Sequence, residues 1–376
     1  MPERKLPVVL IPSLEPDDRL PTYVTELMEN GFSRVVVVND GSSAAYQPIF
    51  DRIAGLGATV LGYEVNQGKG YALKYGYKWI LEHEPDCVGV LTADADGQHT
   101  VPDCLRMAEA LAGDANALWL GSRDFNLPSI PPKSRFGNKM TSGVFKLLYG
   151  VWLPDTQTGL RAFRREELPF MIGVEGNRYE YEMNVLIGCA RRKLPMRTLT
   201  IETIYENNNE GTHFHPIRDS WRIYKVILGS FIRYSATSVI SWLVEFAVLS
   251  LLMFWVFKAH ENENIILLGI PFAFRALVAK PIARLVSAPL NYWLNRDFVF
   301  RDNRDRGTVK RYFILAVCSL VVTTLLFAFL DHFLGAAAPV LHLLLNIVID
   351  VAMYMVNFRI QQHWVFAGKK EEKRRA

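Results

Sequence analysis

Two carboxylates separated by one residue, Asp94 and Asp96, are the first candidates for chemistry in this sequence. They lie in the run DADGQ at 94–98, directly after an apolar segment that is typical of a buried β-strand. Carboxylates in that position can hold a divalent cation, which neutralises a diphosphate leaving group. Gln98 adds a neutral oxygen beside them. Two acidic residues at this spacing are also common in solvated turns, so whether they form a metal site has to be judged from the neighbouring motifs.

Two other polar runs have residue types that suit a nucleotide. In NDGSS at 39–43, Asp40 can accept hydrogen bonds from a base or ribose, and the glycine permits a tight turn. In NQGKG at 66–70, Lys69 is offered to a phosphate at the start of a helix. Each run alone is typical of an ordinary turn. Their order and spacing together favour one nucleotide site that includes the Asp94–Asp96 pair.

The elements that must position these residues are short strands alternating with helices. Helical segments are predicted at 21–30 and 70–82, between apolar runs bounded by turn residues. The apolar runs are 8–11, 35–38, 59–63, 88–92 and 118–120. This alternation predicts an α/β domain with parallel strands, whose ligands bind at the carboxyl ends of the strands. All three polar runs fall there.

The C-terminal part of the chain is predicted to lie in a membrane. Hydrophobic residues form 50% of the sequence, and their excess follows residue 231. Residues 216–234 mix aromatic, basic and aliphatic side chains and suit a helix in the membrane interface. Four apolar stretches come next, each close to the ~20 residues that cross a bilayer. They are 235–257, 265–290, 312–334 and 339–358.

The distribution of charge predicts the orientation of these four crossings. Basic residues concentrate in the loop 295–311 and in the tail 369–376, which the positive-inside rule places in the cytoplasm together with both termini. The start of the chain has no signal-peptide core. The net charge of +4 is placed beside apolar stretches, which favours a lipid bilayer as partner and no nucleic acid. The four cysteines have neither metal-site nor disulfide spacing.

The membrane part contains an internal repeat, because residues 291–300 are echoed at 357–366. Parallel repeats of this sort occur in transporters. Charged residues inside membrane-spanning apolar stretches cost free energy, and their presence therefore suggests a function. The candidates are Glu245, Lys280, Arg284 and Asp350. Arg284 and Asp350 occupy equivalent repeat positions, so we expect them to pair, as either a functional or a structural ion pair.

Residues 8 to about 215 resemble family 2 glycosyltransferases of the GT-A fold, in the branch of dolichyl-phosphate mannose synthases and bacterial polyisoprenyl-phosphate glycosyltransferases. The matching residues are Ile11-Pro12, 38–42, 66–70, 94–98, 121–123 and 155–161. Residues 230–368 resemble the GtrA-type four-helix membrane family. The usual Asn-Glu after the first strand is replaced by Glu15-Pro16.

The resemblance implies a role for each matching site residue. Asp94, Asp96 and Gln98 would hold Mg²⁺ or Mn²⁺. The nucleotide sugar would be contacted by Pro12, Glu15, Asp40, Lys69 and Asp94. Arg123 and Arg135 match positions that bind an acceptor phosphate, and Arg161 and Arg218 are added as further phosphate candidates. Asp155 matches an aspartate often suggested as a base, so the catalytic set is Asp96, Asp155, Arg123 and Arg135.

The chemistry of the acceptor suggests a different role for Asp155. A lipid monophosphate is already ionised at neutral pH, since its second pKa is about 6, and needs no base in order to attack. We therefore expect Asp155 to orient another group, such as Arg161 or the sugar. Glu180 and Glu182 fit contacts to sugar hydroxyls and a solvated helix face equally well. His213 and His215 lack metal-site spacing.

The sequence therefore predicts an α/β GT-A domain with a Rossmann-like mixed sheet at 1–215. An interfacial helix at 216–234, an all-α membrane domain of four transmembrane helices at 235–368 and a basic tail at 369–376 follow. The expected activity is inverting sugar transfer from a nucleotide-diphosphate sugar to polyprenyl phosphate, with the membrane domain anchoring or translocating the product. The alternatives are a transporter or scaffold with a regulatory transferase-like domain, and a processive synthase, whose Gln-x-x-Arg-Trp signature is missing. The sequence is compatible with a monomer and with a homo-oligomer.

Overall fold

The structure is a computed structural model that describes residues 6–128, 130–202, 216–256, 264–267, 270–300, 307–334 and 339–366. His213, His215 and the tail 369–376 lie outside this range. The side chains of Arg218, Lys280 and Asp350 also lie outside the description. The chain divides into two compact units, Met1–Ile227 and Leu228–Ala376.

The first unit is built on a seven-stranded mixed sheet. Its strands are β1 (Val8–Ser13), β2 (Val35–Asp40), β3 (Thr59–Tyr63), β4 (Gly89–Thr92), β5 (Leu118–Arg123), β6 (Arg161–Arg164) and β7 (Met196–Ile201). The order across the sheet is β3-β2-β1-β4-β6-β5-β7. Only β6 runs antiparallel to its neighbours within this sheet. The mixed sheet predicted from the sequence is confirmed, and all five predicted strands are present.

Helices cover the sheet on both faces. They are α1 (Arg19–Glu29), α2 (Gln47–Gly55), α3 (Lys69–His83), α4 (Val101–Gly113), α5 (Pro132–Tyr149), α6 (Leu168–Gly173) and α7 (Glu180–Arg192). Helices α1, α2 and α4 share one core with Val9 and Ile11 of β1. Leu10 points to the opposite face, where α3 packs on β1 and β2. A strand buried on both faces must be apolar at every position, which explains the unbroken run VVLI at 8–11.

The pairing register brings the ends of the strands to one edge of the sheet. Ser13 of β1 lies beside Asn39 of β2, and Thr92 of β4 lies beside Arg161, where the antiparallel β6 begins. The loop that precedes β6 therefore meets the loops that follow β1, β2 and β4. This edge is where ligands of open α/β sheets bind.

The second unit consists mainly of long helices. Helix α8 (Pro216–Leu251) is continuous across the predicted interfacial segment and the predicted first crossing, and a π-helical turn at Leu252–Val256 extends it. Helices α9 (Phe274–Leu294), α10 (Gly307–Leu334) and α11 (Pro339–Ile360) follow. The second apolar stretch differs from the all-helical expectation, because it begins with an antiparallel hairpin of β8 (Asn264–Leu267) and β9 (Ile270–Ala273).

The internal repeat is visible in the second unit. Asn295 and Gln361, which are 66 residues apart, each begin a π-helical turn, and the two side chains hydrogen-bond to each other at 3.1 Å. Asn295 is fully buried and also binds Thr237 of α8 at 2.6 Å and Asn291 at 2.7 Å. Buried amides need such partners, so this polar cluster fixes the ends of several helices together.

One helical segment of the described residues, Trp221–Val256, is long and apolar enough to cross a membrane, and an 18-residue window within it has a mean hydropathy of 2.2. Large apolar side chains on this segment are exposed, among them Trp242, Phe246 and Trp255. Exposed apolar surface of this extent suits contact with lipid. The number of crossings beyond this one stays a prediction.

The contact of α3 with β1 generates a stability prediction. A β-carbon at Gly76 would overlap the Leu10 side chain, whereas one at Gly137 of α5 would meet no atom within 4 Å. We expect Gly76→Val to destabilise the protein by about 1–3 kcal/mol through overpacking. Gly137→Ala should stabilise it by about 0.5–1 kcal/mol, because alanine favours the helix. Thermal unfolding of the full chain in detergent measures both, and equal effects of the two variants would contradict the packing described here.

Candidate active site

An open cleft of about 320 Å³ lies at the carboxyl edge of the sheet. Asp94 and Gln98, from the loop after β4, line it together with Arg123 at the end of β5. The remaining lining residues come from three short segments. They are His99, Gln157, Thr158, Gly159, Ile201 and Glu202. The cleft thus has carboxylates and a guanidinium around one opening.

Asp94 is held tightly in this cleft. Its carboxylate receives the Lys69 ammonium at 2.7 Å and lies 3.2 Å from His99 Nε2. It also packs against Gly159 so closely that a β-carbon there would overlap it. Burial favours the neutral acid, but Lys69 and His99 together hold the pKa of Asp94 well below its usual range. Asp94 is therefore charged and fixed in position.

Lys69, the first residue of α3, has two acidic partners. Its ammonium lies 2.7 Å from Asp94 and 3.1 Å from Glu182 of α7. Burial favours the neutral amine, but these two carboxylates raise the pKa of Lys69 and keep it protonated. Glu182 is itself buried, so the solvated-face interpretation of this residue was wrong. Lys69 joins α3, α7 and the loop after β4 through charge.

Asp96 has a different environment from Asp94. Its Oδ1 accepts a hydrogen bond from the Gln98 backbone N–H at 3.0 Å, and no basic side chain in the described part of the chain pairs with it. Burial and the charge of Asp94 raise the pKa of Asp96, because two close carboxylates resist ionising together. A cation placed here would relieve that repulsion.

The oxygens of Asp96 and Gln98 fit Mg²⁺ or Mn²⁺, which prefer hard oxygen ligands. No group of three or more His, Cys, Asp or Glu side chains that could enclose a metal occurs among the described residues. Mg²⁺ commonly uses only one or two carboxylates and takes its other ligands from substrate phosphates and water. The site is therefore suited to a metal that arrives with a diphosphate rather than to a permanently enclosed ion.

Asp40 has a structural role that the sequence did not indicate. Its buried carboxylate accepts hydrogen bonds from Tyr63 Oη at 2.6 Å, the Asn66 amide at 3.1 Å, and the backbone N–H groups of Gln67 and Gly68. A carboxylate has about four acceptor positions, and these donors use them. Asp40 therefore organises the loop that leads to Lys69, and its contact with a nucleotide stays a prediction.

Asp155 is bound to Arg123, and the expected bracing of Arg161 was wrong. The fully buried carboxylate pairs with Arg123 Nε at 2.7 Å and Nη2 at 3.2 Å, which is the bidentate geometry of a strong ion pair. Asp155 also accepts the Gln157 N–H at 2.9 Å. The cause lies in the sheet, since the loop before β6 meets the end of β5. Asp155 orients the arginine that lines the cleft.

The other arginine candidates are Arg161, Arg135 and Arg218, and the side chain of Arg218 lies outside the description. Arg161 is buried and donates to the carbonyls of Thr158 and Glu182, so it fixes the backbone beneath the cleft and does not line it. Arg135 of α5 donates to the Leu127 carbonyl at 2.9 Å and thereby anchors the loop after Arg123.

The two nucleotide candidates that follow or end β1 differ in exposure. Pro12 is buried within the strand, where it pairs in register with Val38. Glu15 is exposed, has a left-handed backbone with φ 49°, and donates its backbone N–H to Ser42 Oγ at 2.9 Å. Nucleotide contacts at these positions stay predictions.

Two titratable cleft residues, His99 and Glu202, were not among the sequence candidates. His99 directly follows the DADGQ run, so its place in the same strand-end loop was a usable signal. Glu202 had no such signal, because it follows β7, a strand that the sequence pattern did not reveal. Its backbone N–H binds the buried Asp103 at 2.9 Å, which places it at the cleft.

In the second unit, Arg284 of α9 pairs with Glu245 of α8 at 2.7 Å, and Ser287 donates to the same carboxylate at 2.8 Å. The ion pair described for Arg284 therefore joins α8 and α9, and the expected pairing of Arg284 with Asp350 stays a prediction. Because the side chain of Asp350 lies outside the description, its own partner is not assigned.

Two family profiles match the chain in succession. The profile of Glycosyl transferase family 2 matches residues 8–173, and the GtrA/DPMS transmembrane domain matches residues 233–366. The first match contains Asp94, Asp96, Lys69, Arg123 and Asp155. The second covers the helical unit that follows.

Two individual relatives are each similar to just over half of this chain. An uncharacterised protein of Methanocaldococcus jannaschii is 29% identical over 224 residues, which cover 58% of this chain and 90% of the relative. A protein of Methanococcus voltae named UDP-N-acetylglucosamine–dolichyl-phosphate N-acetylglucosaminyltransferase is 27% identical over 219 residues, which cover 54% of this chain and 86% of the relative.

Solved structures with a similar arrangement include two transferases. Glucosyl-3-phosphoglycerate synthase of Mycobacterium tuberculosis, with Mg²⁺ and UDP, has a TM-score of 0.45 at 16% identity and covers 60% of this chain and 79% of its own. The mannosyltransferase PcManGT of Pyrobaculum calidifontis, with GDP-mannose and Mn²⁺, has a TM-score of 0.36 at 14% identity. The match covers 96% of this chain and 88% of that protein.

The mixed GT-A-like sheet, the cleft at its carboxyl edge and the two successive profile matches agree with one another. The chain carries a family 2 glycosyl transferase domain followed by a GtrA/DPMS transmembrane domain, and it is a membrane-associated glycosyltransferase.

Proposed function

We propose that this protein transfers a sugar from a nucleotide-diphosphate sugar to a polyprenyl phosphate at the membrane surface. The observation that carries the proposal is the cleft that Asp94 and Gln98 line together with an arginine, Arg123, whose orientation is fixed by Asp155. Such a site offers separate positions to two phosphates. The carboxylate side suits a metal-bound diphosphate, and the arginine side suits the phosphate of an acceptor.

On the donor side, the chain supplies charge and position. Asp96 and Gln98 would hold Mg²⁺ or Mn²⁺, which when bound neutralises the charge that develops on the leaving diphosphate. Lys69 adds a fixed ammonium beside Asp94. Asp40 keeps the loop before Lys69 in place through its backbone hydrogen bonds.

On the acceptor side, Arg123 would receive the lipid phosphate. One phosphate oxygen attacks the anomeric carbon, the bond from that carbon to the diphosphate oxygen breaks, and the configuration inverts in this single displacement. The attacking oxygen is already ionised at neutral pH, so positioning and charge neutralisation supply the catalysis. Asp155 contributes by holding the Arg123 guanidinium.

The surface of the first unit supports a membrane-bound acceptor. Helix α5 has exposed apolar residues along one face with lysines beside them, a pattern typical of helices at a bilayer surface. The apolar residues are Phe136, Met140 and Leu147, and the lysines are Lys133, Lys139 and Lys146. We propose that the GtrA/DPMS domain crosses the membrane four times with both termini in the cytoplasm, and that it anchors or translocates the product.

The Methanococcus voltae relative is named for transfer of N-acetylglucosamine from UDP to dolichyl phosphate, which makes UDP-N-acetylglucosamine the first donor to test. Membranes containing the protein should form an organic-extractable sugar lipid from polyprenyl phosphate and one of UDP-N-acetylglucosamine, UDP-glucose or GDP-mannose, each labelled in the sugar. Asp96→Asn should lower the rate by about 10²–10³, since it removes charge where the diphosphate leaves. A transporter or scaffold with an inactive transferase domain would give no labelled lipid with any donor.

The role of Asp155 can be separated from that of a general base. We expect Asp155→Asn to raise the KM for polyprenyl phosphate and to lower kcat/KM by about 10–100-fold, because Arg123 loses its charged partner. The pH profile of kcat/KM should keep its shape. Loss of an acidic limb from that profile would instead identify Asp155 as a base. Glu166→Gln, at an exposed carboxylate, is the control variant.

The contact between Gly159 and Asp94 predicts a loss of activity without loss of the fold. Gly159→Ala should displace the Asp94 carboxylate and reduce transfer by about tenfold or more, because small displacements in an active site have large kinetic effects. Gly173→Ala, where a β-carbon meets nothing within 4 Å, is the matched control. Rates and circular dichroism are measured together. Full activity of Gly159→Ala would show that the position of Asp94 is unimportant.

A further inference from the structure

The two carboxylates of the DADGQ run are not equivalent in the structure. Asp94 is held by Lys69 at 2.7 Å and by His99 at 3.2 Å, whereas Asp96 pairs with no basic side chain in the described part of the protein. An ammonium in contact with a carboxylate oxygen occupies the space that a divalent cation would need. In this arrangement, Asp96 is accessible to a metal and the Asp94 oxygen nearest Lys69 is not.

Lys69 has a second carboxylate partner. Glu182 lies 3.1 Å from the same ammonium and belongs to a different element, α7. The side chain of Lys69 is 19% exposed and that of Glu182 is 10% exposed, so their interaction is poorly screened by water. If Lys69 leaves Asp94, the ammonium can keep one buried carboxylate as partner. An arriving diphosphate would supply further negative charge.

We propose that Lys69 blocks Asp94 from binding a divalent cation until the diphosphate of the nucleotide sugar draws the ammonium away, so that metal and nucleotide bind cooperatively. The inference rests on the proposed function for the identity of the donor. It makes Lys69 a positioning residue that regulates the metal site. Because coupling between two ligands is reciprocal, the metal should increase nucleotide affinity by the same factor.

A simpler effect of charge gives a different expectation. If Lys69 only repelled the cation at a distance, its removal would raise metal affinity to the same extent whether or not residue 94 is an aspartate. The effects of changing Lys69 and Asp94 would then be additive. Direct competition for Asp94 requires them to be strongly non-additive, and a double-mutant cycle measures this difference.

The test is Mn²⁺ binding to the full-length protein in detergent, followed by the electron paramagnetic resonance of free Mn²⁺ without nucleotide. Asp94→Asn should weaken Mn²⁺ binding by less than about twofold in the parent protein, because Lys69 already occupies that carboxylate. In a Lys69→Gln background, the same Asp94→Asn change should weaken binding by about tenfold or more. Equal costs in the two backgrounds would overturn the proposal.

A second arm adds nucleoside diphosphate, with UDP and GDP tested separately. Asp94→Asn should then cost about tenfold in Mn²⁺ affinity even in the protein that retains Lys69, because the diphosphate has drawn the ammonium away. If the cost stays below about twofold with both nucleotides, Asp94 never becomes a metal ligand and the proposal is wrong.

Two control variants keep the result interpretable. Lys78→Gln makes the same charge change at an exposed position of α3 and should leave Mn²⁺ affinity within about twofold of the parent. Should Lys69→Gln fail to fold, Glu182→Gln tests the same idea, because Lys69 then has Asp94 as its only carboxylate partner in the cluster. Its cooperativity between Mn²⁺ and nucleotide should fall by about fivefold. Unchanged cooperativity in that variant would contradict the exchange of partners.

The Mn²⁺ double-mutant cycle and the sugar-transfer assay test the two proposals separately. The cycle without nucleotide needs no sugar donor or lipid, so an additive cycle in a protein that makes sugar lipid overturns only the competition. A strongly non-additive cycle in a protein that makes no sugar lipid keeps the competition and overturns the proposed function.

Discussion

The site depends on the need to compensate negative charge at the buried end of β4. Asp94 and Asp96 follow a strand that is buried on both faces, and two carboxylates in that setting repel each other and lose hydration. Lys69 compensates the charge of Asp94, whereas Asp96 has no basic partner among the described residues. Helix α3, helix α7 and the loop after β4 are held together by this compensation.

Compensation of charge also fixes Arg123, which lines the same cleft. Arg123 would be a mobile side chain at the end of a strand, but the buried carboxylate of Asp155 fixes it through two hydrogen bonds. The antiparallel strand β6 is responsible, because it returns the chain to the carboxyl edge and brings the loop before it against β5. One inserted strand therefore brings a buried carboxylate against the arginine that lines the cleft.

In the membrane domain, hydrogen bonds between buried amide side chains hold the helices together, as ion pairs do around the cleft. Asn295 and Gln361 begin equivalent π-helical turns and bind each other, while Thr237 joins them to α8. A π-helical turn leaves backbone groups without their regular helical partners, and polar side chains at such turns are common at functional positions. The two halves of the repeat are thus in direct contact through the Asn295–Gln361 hydrogen bond, in addition to being similar in sequence.

The sequence by itself determined the features that depend on neighbouring residues. Unbroken apolar runs predicted the central strands, the polar runs after them predicted the edge at which the cleft lies, and apolar stretches predicted a membrane domain. Tertiary structure alone decided which charge meets which. Asp155 holds Arg123 and not Arg161, Arg284 meets Glu245, and Glu202 reaches the cleft through β7. Partners distant in sequence are chosen by the order and register of strands and by helix packing, which a local pattern does not encode.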